Sequence, residues 1–429
     1  MLEIVQKKMN VLLEKNPQAI FLLANSGGVD SMVLFDLLLK VKVSFAVAHC
    51  NFGLRGEASD GDENFIIAKC RMHNLEVHTR RFDTKNIAAS KGISIQMAAR
   101  MLRYDWFELL KKEGDYSHLL TAHHLDDQLE TFMINTGRGS GLKGLRGIRS
   151  AKIVRPLLSF SKAAIVDYAK VNAIDWREDA SNASDDYLRN QLRHQVIPQW
   201  KAANAHLLQN AAETFDHIAL AHEALTVVLE QFKALHFKEK EGVVHISLSA
   251  IKALKPLDYF LFALFSPFGF THLADLHSIL EAQSGKQLIS PSHRLVHDRN
   301  ELLLTPLQED KQPNKIEWIP TEDLHSPIHL SLSQEAILSP KYALLDMRML
   351  KFPLILRKYQ KGDYFYPIGM PGKKKLSKFF KDQKYSLLEK ENQWLLCSEA
   401  QIVWVIGQRV DARFAASNAT VNPLIIKCI

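Results

Sequence analysis

The run Ile20-Phe21-Leu22-Leu23-Ala24-Asn25-Ser26-Gly27-Gly28-Val29-Asp30-Ser31 constrains the fold more than any other stretch of the chain. A strand-length apolar segment empties into Ser-Gly-Gly, and apolar residues at helical spacing (Met32, Leu34, Phe35, Leu38, Leu39) follow at once. Such a strand-turn-helix corner leaves the first N–H groups of the helix without internal partners and aims them at the loop, which suits it to hold a phosphate. Gly27 and Gly28 let the backbone turn tightly beside an anion, and Ser26 and Ser31 add hydroxyl donors. The loop is not a Walker A motif, because no Lys precedes its terminal Ser and the glycine spacing differs.

The segments around this corner place it in an α/β domain. Strand candidates at Ala19 to Ala24, Val43 to Ala48, Leu75 to Thr79, Leu119 to Ala122 and Ile153-Val154 alternate with helical patterns, the longest running from Ser94 to Lys112. Alternation of this kind predicts a parallel sheet covered on both faces, with ligands at the carboxyl ends of the strands. A chain of 429 residues exceeds one core and is expected to divide. The expected portions are 1–200 for the phosphate-binding α/β domain, 201–312 for a mainly helical middle domain and 340–429 for a small mixed α/β carboxyl-terminal domain. Gln199 to about Phe237 reads as one long helix or two in succession, Arg294 to Val296 and Glu301 to Leu304 as a hairpin, and the polar segment Gln308 to Asn314 as a linker.

Two further loops fall at strand ends. His49-Cys50-Asn51-Phe52-Gly53-Leu54-Arg55-Gly56-Glu57 follows the second strand and offers Asn51 and Arg55 to a substrate, although a structural turn would carry the same residue types. Thr121-Ala122-His123-His124-Leu125-Asp126-Asp127-Gln128-Leu129-Glu130 opens into a helix, where an Asp can serve simply as a cap. Adjacent carboxylates and histidines beside a phosphate site can also hold Mg²⁺ against ATP oxygens and order an amine, and the spacing suits zinc less well. The segment Asn135 to Gly147 interleaves glycines with Arg138, Lys143 and Arg146, a basic loop able to close on triphosphate or a nucleic-acid backbone.

The Ser-Gly-Gly-Val-Asp-Ser loop resembles the pyrophosphate-binding loop of the ATP pyrophosphatases. Four features sharpen that resemblance: the Asn-x-Gly-Leu-Arg-Gly core at 51–56, Ala98-Ala99-Arg100 with Arg103-Tyr104, Ala122-His123-His124-x-Asp126-Asp127-x-x-Glu130-Thr131, and Arg138-Gly139-Ser140-Gly141-Leu142-x-Gly144-Leu145. With Asp179-x-Ser181-Asn182 and Arg189-Asn190-x-x-Arg193 they resemble the tRNA(Ile)-lysidine synthetase family over the whole chain; Phe52 departs from the His common there. The resemblance implies joining of free L-lysine to C2 of the wobble cytidine in the CAU anticodon of a minor isoleucine tRNA, by way of an adenylated cytidine, with ATP and Mg²⁺. It implies ATP contacts from Ser26, Gly27, Gly28, Val29, Asp30 and Ser31, and metal or substrate carboxylates at Asp30 and Asp127. Arg100 is implied at the cytidine or adenylate, and His123, His124, Asp126 and Glu130 around the lysine.

The carboxyl-terminal run Lys373-Lys374-Lys375-Leu376-Ser377-Lys378-Phe379-Phe380-Lys381 mixes cations with aromatics, a combination that fits RNA but also a solvated helix. The family resemblance favours tRNA, with a carboxyl-terminal domain on the acceptor stem and a middle domain choosing the tRNA. A net charge of +7 and a pI near 9.0 favour an anionic partner. Four scattered cysteines without a C-x-x-C pair, an amphipathic amino terminus and no long apolar run lead us to expect a cytoplasmic chain, off the membrane. The oligomeric state stays open, a homodimer included. A tRNA thiolase with the same loop and a tRNA-binding protein without catalysis are the competing readings.

Overall fold

A computed structural model describes residues 1–54, 56–148, 153–178, 188–307, 315–335, 337–417 and 419–429. Arg55, the Asp179-x-Ser181-Asn182 motif and the expected linker Gln308 to Asn314 lie outside the described residues. The chain forms two compact units, Met1–Thr226 and Val227–Ile429.

The first unit begins with α1 (Leu2–Lys15), β1 (Phe21–Ala24), α2 (Val29–Val41), β2 (Phe45–Asn51), α3 (Glu57–Met72) and β3 (Val77–Arg81). It continues through α4 (Thr84–Lys91), α5 (Ile95–Glu113), β4 (His118–Leu120), α6 (Leu125–Gly137), α7 (Leu142–Leu145), β5 (Ile153–Val154) and α8 (Lys162–Val171). Then come α9 (Leu188–Gln191), a π-helical turn at Leu192–Val196, α10 (Ile197–Ala203) and α11 (Leu207–His236), whose residues from Val227 on belong to the second unit. Among the described residues the strands form one parallel sheet in the order β3-β2-β1-β4-β5. The order reverses at β1, and in such a sheet the crevice for a ligand opens at the carboxyl ends beside that reversal.

Sequence explains these elements directly. Phe21, Leu22 and Leu23 are all buried, as a central strand covered on both faces requires. The α2 helix buries Met32, Val33, Leu34, Phe35, Leu37 and Leu38 against that sheet. Each such side chain contributes roughly 1.5–3 kcal/mol when fully buried, so the corner carrying the glycine loop is held by a rigid core. Ser94 caps α5 and Ser161 caps α8, both through the side-chain oxygen. The expected helix after Pro198 is two helices, because Asn204 leaves the helical conformation between α10 and α11. Leu207 and Phe215 of α11 pack with Leu125, Leu129 and Ile197, which ties α10 and α11 to α6.

Residues 237–306 of the second unit carry β6 (Phe237–Lys240), β7 (Val243–Ser247), α12 (Leu248–Lys252), α13 (Leu257–Phe265), α14 (Leu273–Leu280), β8 (Gln287–Ile289), β9 (His293–Asp298) and β10 (Glu301–Pro306). The expected hairpin is β9-β10, turning at Arg299-Asn300, and it forms part of an antiparallel sheet ordered β6-β7-β10-β9-β8 beneath the helices. Next come β11 (Lys315–Trp318), β12 (Leu330–Leu332), β13 (Tyr342–Leu345), β14 (Leu354–Lys358), β15 (Tyr364–Phe365), β16 (Lys374–Lys375), α15 (Leu376–Asp382) and α16 (Leu387–Asn392). The chain closes with β17 (Trp394–Ser398), β18 (Gln401–Val405), β19 (Arg409–Val410) and β20 (Leu424–Cys428). The antiparallel sheet β11-β14-β17-β18-β19 centres on the fully buried Trp404. Its strand β11, like β12 beside β20, precedes residue 340. Among the described residues no helix is long and apolar enough to cross a membrane.

Candidate active site

The glycine loop leaves β1 at Asn25, whose buried side chain accepts from the Gly27 amide at 2.8 Å and whose own amide donates to Ala48 O at 3.0 Å. Gly27 has φ of +82°, a left-handed conformation that a side chain resists. Ser31 Oγ donates to Gly28 O at 2.9 Å and lies 3.3 Å from Ser26 Oγ, so the two hydroxyls face each other across the turn. The first intrahelical bond of α2 runs from Met32 N to Gly28 O. The amides of Val29, Asp30 and Ser31 therefore precede the ladder as the free donors of a helix start.

Asp30 projects from the first turn of α2 and is gripped by Lys162 Nζ at 2.7 and 2.8 Å. Lys162 opens α8, and its backbone amide donates to Asp126 Oδ2 at 2.8 Å. The other oxygen of Asp126 pairs with Lys201 of α10. At the start of α6, His124 and Asp127 form a reciprocal cap: His124 N donates to Asp127 Oδ2 at 3.0 Å and Asp127 N donates to His124 Nδ1 at 3.4 Å. That arrangement leaves the ring proton on Nε2, which faces Asp127 Oδ2 at 3.4 Å and Asp30 Oδ2 at 3.9 Å. The two carboxylates expected to act together thus converge on one imidazole at the mouth of the glycine loop.

The arginines of the 188–196 segment complete the cluster. Arg189 Nε and Arg193 Nε each donate to Glu130 at 2.6 Å, and the terminal nitrogens of both reach Asp127 Oδ1 at 3.1 and 3.3 Å. Glu130 is buried and both its oxygens are taken, so it anchors the two arginines rather than offering an oxygen to a free amine. The π-helical turn at Leu192–Val196 contains Arg193; turns of this kind often mark functional segments. Burial alone would push the Asp127 carboxyl up, but His124, Arg189, His123 and the His124 backbone bond hold it below its ordinary value. Burial takes His123 down to about 4, with Asp127 opposing and Arg155, Arg189 and His124 adding to the shift. His123 is therefore a neutral imidazole at neutral pH, its Nδ1 bonded to Thr121 Oγ1 at 2.9 Å.

Other expected site residues lie outside this cluster. Asn51 is buried and fully engaged by its own loop: Nδ2 donates to Asp60 and Glu63 at 2.9 Å each, and Oδ1 accepts from Gly53 N at 3.0 Å. Its side chain organises the loop instead of meeting a ligand. Arg100 lies exposed on α5 with its guanidinium 4.9 Å from the Tyr104 ring. Arg138 and Lys143 are exposed around the short helix α7, where Asn135 Nδ2 donates to Gly144 O at 2.8 Å. Lys373 sits over the Tyr364 ring at 3.5 Å and Lys375 is exposed, whereas Lys374 is paired with Asp382 at 2.7 Å. Sequence reasoning gave no role to Lys162 or Lys201, because a lone lysine in a helix carries no pattern. It also passed over Arg177, whose amide donates to Gly27 O at 2.9 Å while its side chain holds Asp62.

Residues 1–200 match a family model described as a PP-loop domain, 226–307 one described as a TilS substrate binding domain, and 354–424 one described as a TilS substrate C-terminal domain. A tRNA(Ile)-lysidine synthase of Parabacteroides distasonis is 37% identical over 98% of this chain and 97% of its own length. The chain belongs to the tRNA(Ile)-lysidine synthase family. A second tRNA(Ile)-lysidine synthase, from Bacteroides thetaiotaomicron, is 35% identical over 99% of this chain and 100% of its own length. Among solved structures, a U34-tRNA thiolase of Methanococcus maripaludis with a [4Fe-4S] cluster aligns at 16% identity and a TM-score of 0.40, covering 47% of this chain and 72% of that one. As a member of the tRNA(Ile)-lysidine synthase family, the chain is a tRNA-modifying ligase that uses ATP.

Proposed function

We propose that this chain joins the ε-amine of free L-lysine to C2 of the wobble cytidine in the CAU anticodon of a minor isoleucine tRNA. The C2 oxygen attacks the α-phosphorus of ATP, the bond to the bridging oxygen breaks and pyrophosphate leaves. The amine then adds to C2, loses a proton, and AMP departs with the former C2 oxygen. The observation that carries this reading is the convergence of Asp30 and Asp127 on His124 at the open helix start of the glycine loop.

The amides of Val29, Asp30 and Ser31, with the Ser26 and Ser31 hydroxyls, face the position of the pyrophosphate and stabilise the charge it gains on leaving. Asp30 and Asp127 are two anionic oxygen donors, a set that fits Mg²⁺, which takes one or two carboxylates and fills its other positions from phosphate and water. When bound there the ion would neutralise charge across the phosphates. Lys162 is placed to exchange Asp30 for a phosphate oxygen as that happens. Neutral His123, with His124 beside it, orients the reacting groups. Residues 1–200 are the catalytic portion in this reading, with 201–312 selecting the tRNA and 340–429 holding it through Lys373 and Lys375. Cys50, the one cysteine near the site among the described residues, has its thiol pushed up to about 12 by burial, which speaks against a sulfur-transfer reading.

The test is incubation with ATP, Mg²⁺, radiolabelled lysine and the isoleucine tRNA, beside a methionine tRNA with the same anticodon. Label on the isoleucine tRNA alone is expected. Pyrophosphate release without label would retain the ATP site and remove lysine as substrate.

A further inference from the structure

Three segments meet at Gly27: the glycine loop itself, α3, and the stretch 174–177 that follows α8. Arg177 joins them, because its amide donates to Gly27 O at 2.9 Å while its Nε donates to Asp62 Oδ1 of α3 at 2.7 Å. Asp62 is 6% exposed, so its carboxylate depends on such donors rather than on water. Asp62, Ile66 and Lys69 recur at steps of four and three, which sets them on one face of α3. Ile66 comes within 3.6 Å of the place a Gly27 side chain would take, so that face packs on the loop. Lys69 meets Asp175 at 2.7 Å, a second tie from the same face to the same stretch. Ile174 and Trp176 pack against the core that holds Phe21 and Leu23. Gly61 stands within α3 although glycine is a poor helix former; a Cβ there would lie 3.0 Å from Arg177 Nη2, so the glycine leaves room for the guanidinium.

We propose that Arg177 is a positioning residue for ATP: it pins the Gly27–Gly28 peptide so that the Gly28 N–H is aimed at the phosphates. A trans peptide is planar, and its C=O and N–H point to opposite sides. With Gly27 O tied to the Arg177 amide, the Gly28 N–H is turned the other way, toward Ser26 Oγ at 3.4 Å. Ser26 Oγ is itself 3.3 Å from Ser31 Oγ, the hydroxyl pair that faces the pyrophosphate position. A contact of 3.4 Å is long, so the Gly28 amide remains able to serve a closer acceptor at the start of α2. Two consecutive glycines hinder rotation of the peptide between them least of all residue pairs, since neither has a Cβ. The bond from Arg177 supplies the restraint that the glycines lack. Its grip depends on where residue 177 is held. The side chain of Arg177 is 44% exposed, so the link to Asp62, rather than burial, fixes the residue beyond Trp176. A donor aimed in advance needs no rearrangement when the phosphate arrives. The Arg177 side chain thus acts through Gly27 and not on a reacting atom.

This inference rests on the reading of the glycine loop as the seat of the pyrophosphate, and the experiment separates the two. Arg177→Gln, Arg177→Lys, Asp62→Asn and the double variant Arg177→Gln with Asp62→Asn are titrated by calorimetry with ATP and Mg²⁺ and with AMP, well below each thermal midpoint. Arg177→Gln should weaken ATP about fivefold, the scale of one misaimed donor to a charged group, and leave AMP unchanged, because AMP lacks the phosphates that the loop holds. Arg177→Lys keeps the charge beside Asp62 without the planar fork and should recover part of the loss. The double variant should bind ATP no more weakly than the weaker single variant, since both changes open the same link. ATP affinity unchanged in Arg177→Gln, even with a lowered midpoint, would make the pair a strut of the fold and overturn the proposal. Equal loss of ATP and AMP would mean that the whole nucleotide site has shifted, and would overturn it too. Gly27→Ala decides the underlying reading: weakened ATP binding there beside an unaffected Arg177→Gln removes Arg177 alone, whereas unchanged binding in Gly27→Ala removes the loop as the seat and the proposal with it.

Discussion

Replacing Glu130 by Gln tests whether the acidic cluster is a rigid frame or a loose collection of surface pairs. Glu130 is 1% exposed and takes Nε of Arg189 and Nε of Arg193 at 2.6 Å each, with Arg193 Nη2 adding a bond at 3.0 Å. Gln keeps the shape but turns one acceptor into an N–H donor that faces a guanidinium. Breaking a fully buried pair costs roughly 3–5 kcal/mol. The arginine side chains here are 40% and 35% exposed and retain Asp127 as a second acid, so water and Asp127 offset part of the loss. The expectation is about 2 kcal/mol, which for a unit of this size lowers the thermal midpoint by about 4–8 °C. The assay is thermal and urea unfolding of Glu130→Gln, Arg193→Gln and the double variant. The cycle should show coupling of about 1 kcal/mol or more, because the side chains touch directly. A midpoint lowered by less than about 1 °C, or additive single effects, would refute the idea that α9 and the π-helical turn after it are held on α6 through this carboxylate.

Asp30→Asn and Asp127→Asn should each lower lysidine formation by orders of magnitude while changing tRNA affinity little; equal loss of binding would remove both from the chemistry. Gly27→Ala forces a side chain into φ of +82°, strained by roughly 1–2 kcal/mol, and places its Cβ 3.6 Å from Ile66, so weakened ATP binding is expected and an unchanged nucleotide affinity would contradict the loop geometry. Lys373→Ala with Lys375→Ala should flatten the salt dependence of tRNA binding by about 0.7–0.9 for each phosphate no longer neutralised, whereas Lys374→Ala should leave the slope alone because its ammonium is already held by Asp382. His123 titrates at about 4 in the fold against an ordinary 6.5, so the unfolded chain binds the proton first and stability contributed by this residue is lost as pH falls from 6.5 toward 4. Chemical unfolding across that window should be flatter for His123→Asn, and an identical profile would show that the imidazole is not buried neutral.

Sequence alone carried a large part of this protein. The alternation of apolar runs with helical periods named the β1 to β5 positions to within a few residues; the central strands β1, β2 and β4 are mostly buried and so read as apolar runs, and the helices between strands show one apolar stripe. The glycine loop was legible for a local reason: six adjacent residues make the corner, and no distant partner is needed to read its conformation.

Partnership across the chain was not legible. That Asn51 spends its amide on Asp60 and Glu63, that Glu130 is closed by Arg189 and Arg193, and that Lys162 rather than a nearby residue meets Asp30 all join positions up to 132 residues apart. The middle sheet shows the same limit, since its hairpin was marked by a turn but its outer strands β6 and β8 are short and mostly exposed, too weakly patterned to be read as strands. Residue type and local period determined the elements and the chemistry available; only the tertiary structure decided which charges meet and which, like Arg155 among the described residues, are left without an acid. The physical reason is that propensity and periodicity act over a few residues, while the pairing of charges depends on packing and burial, which bring distant segments to the same point.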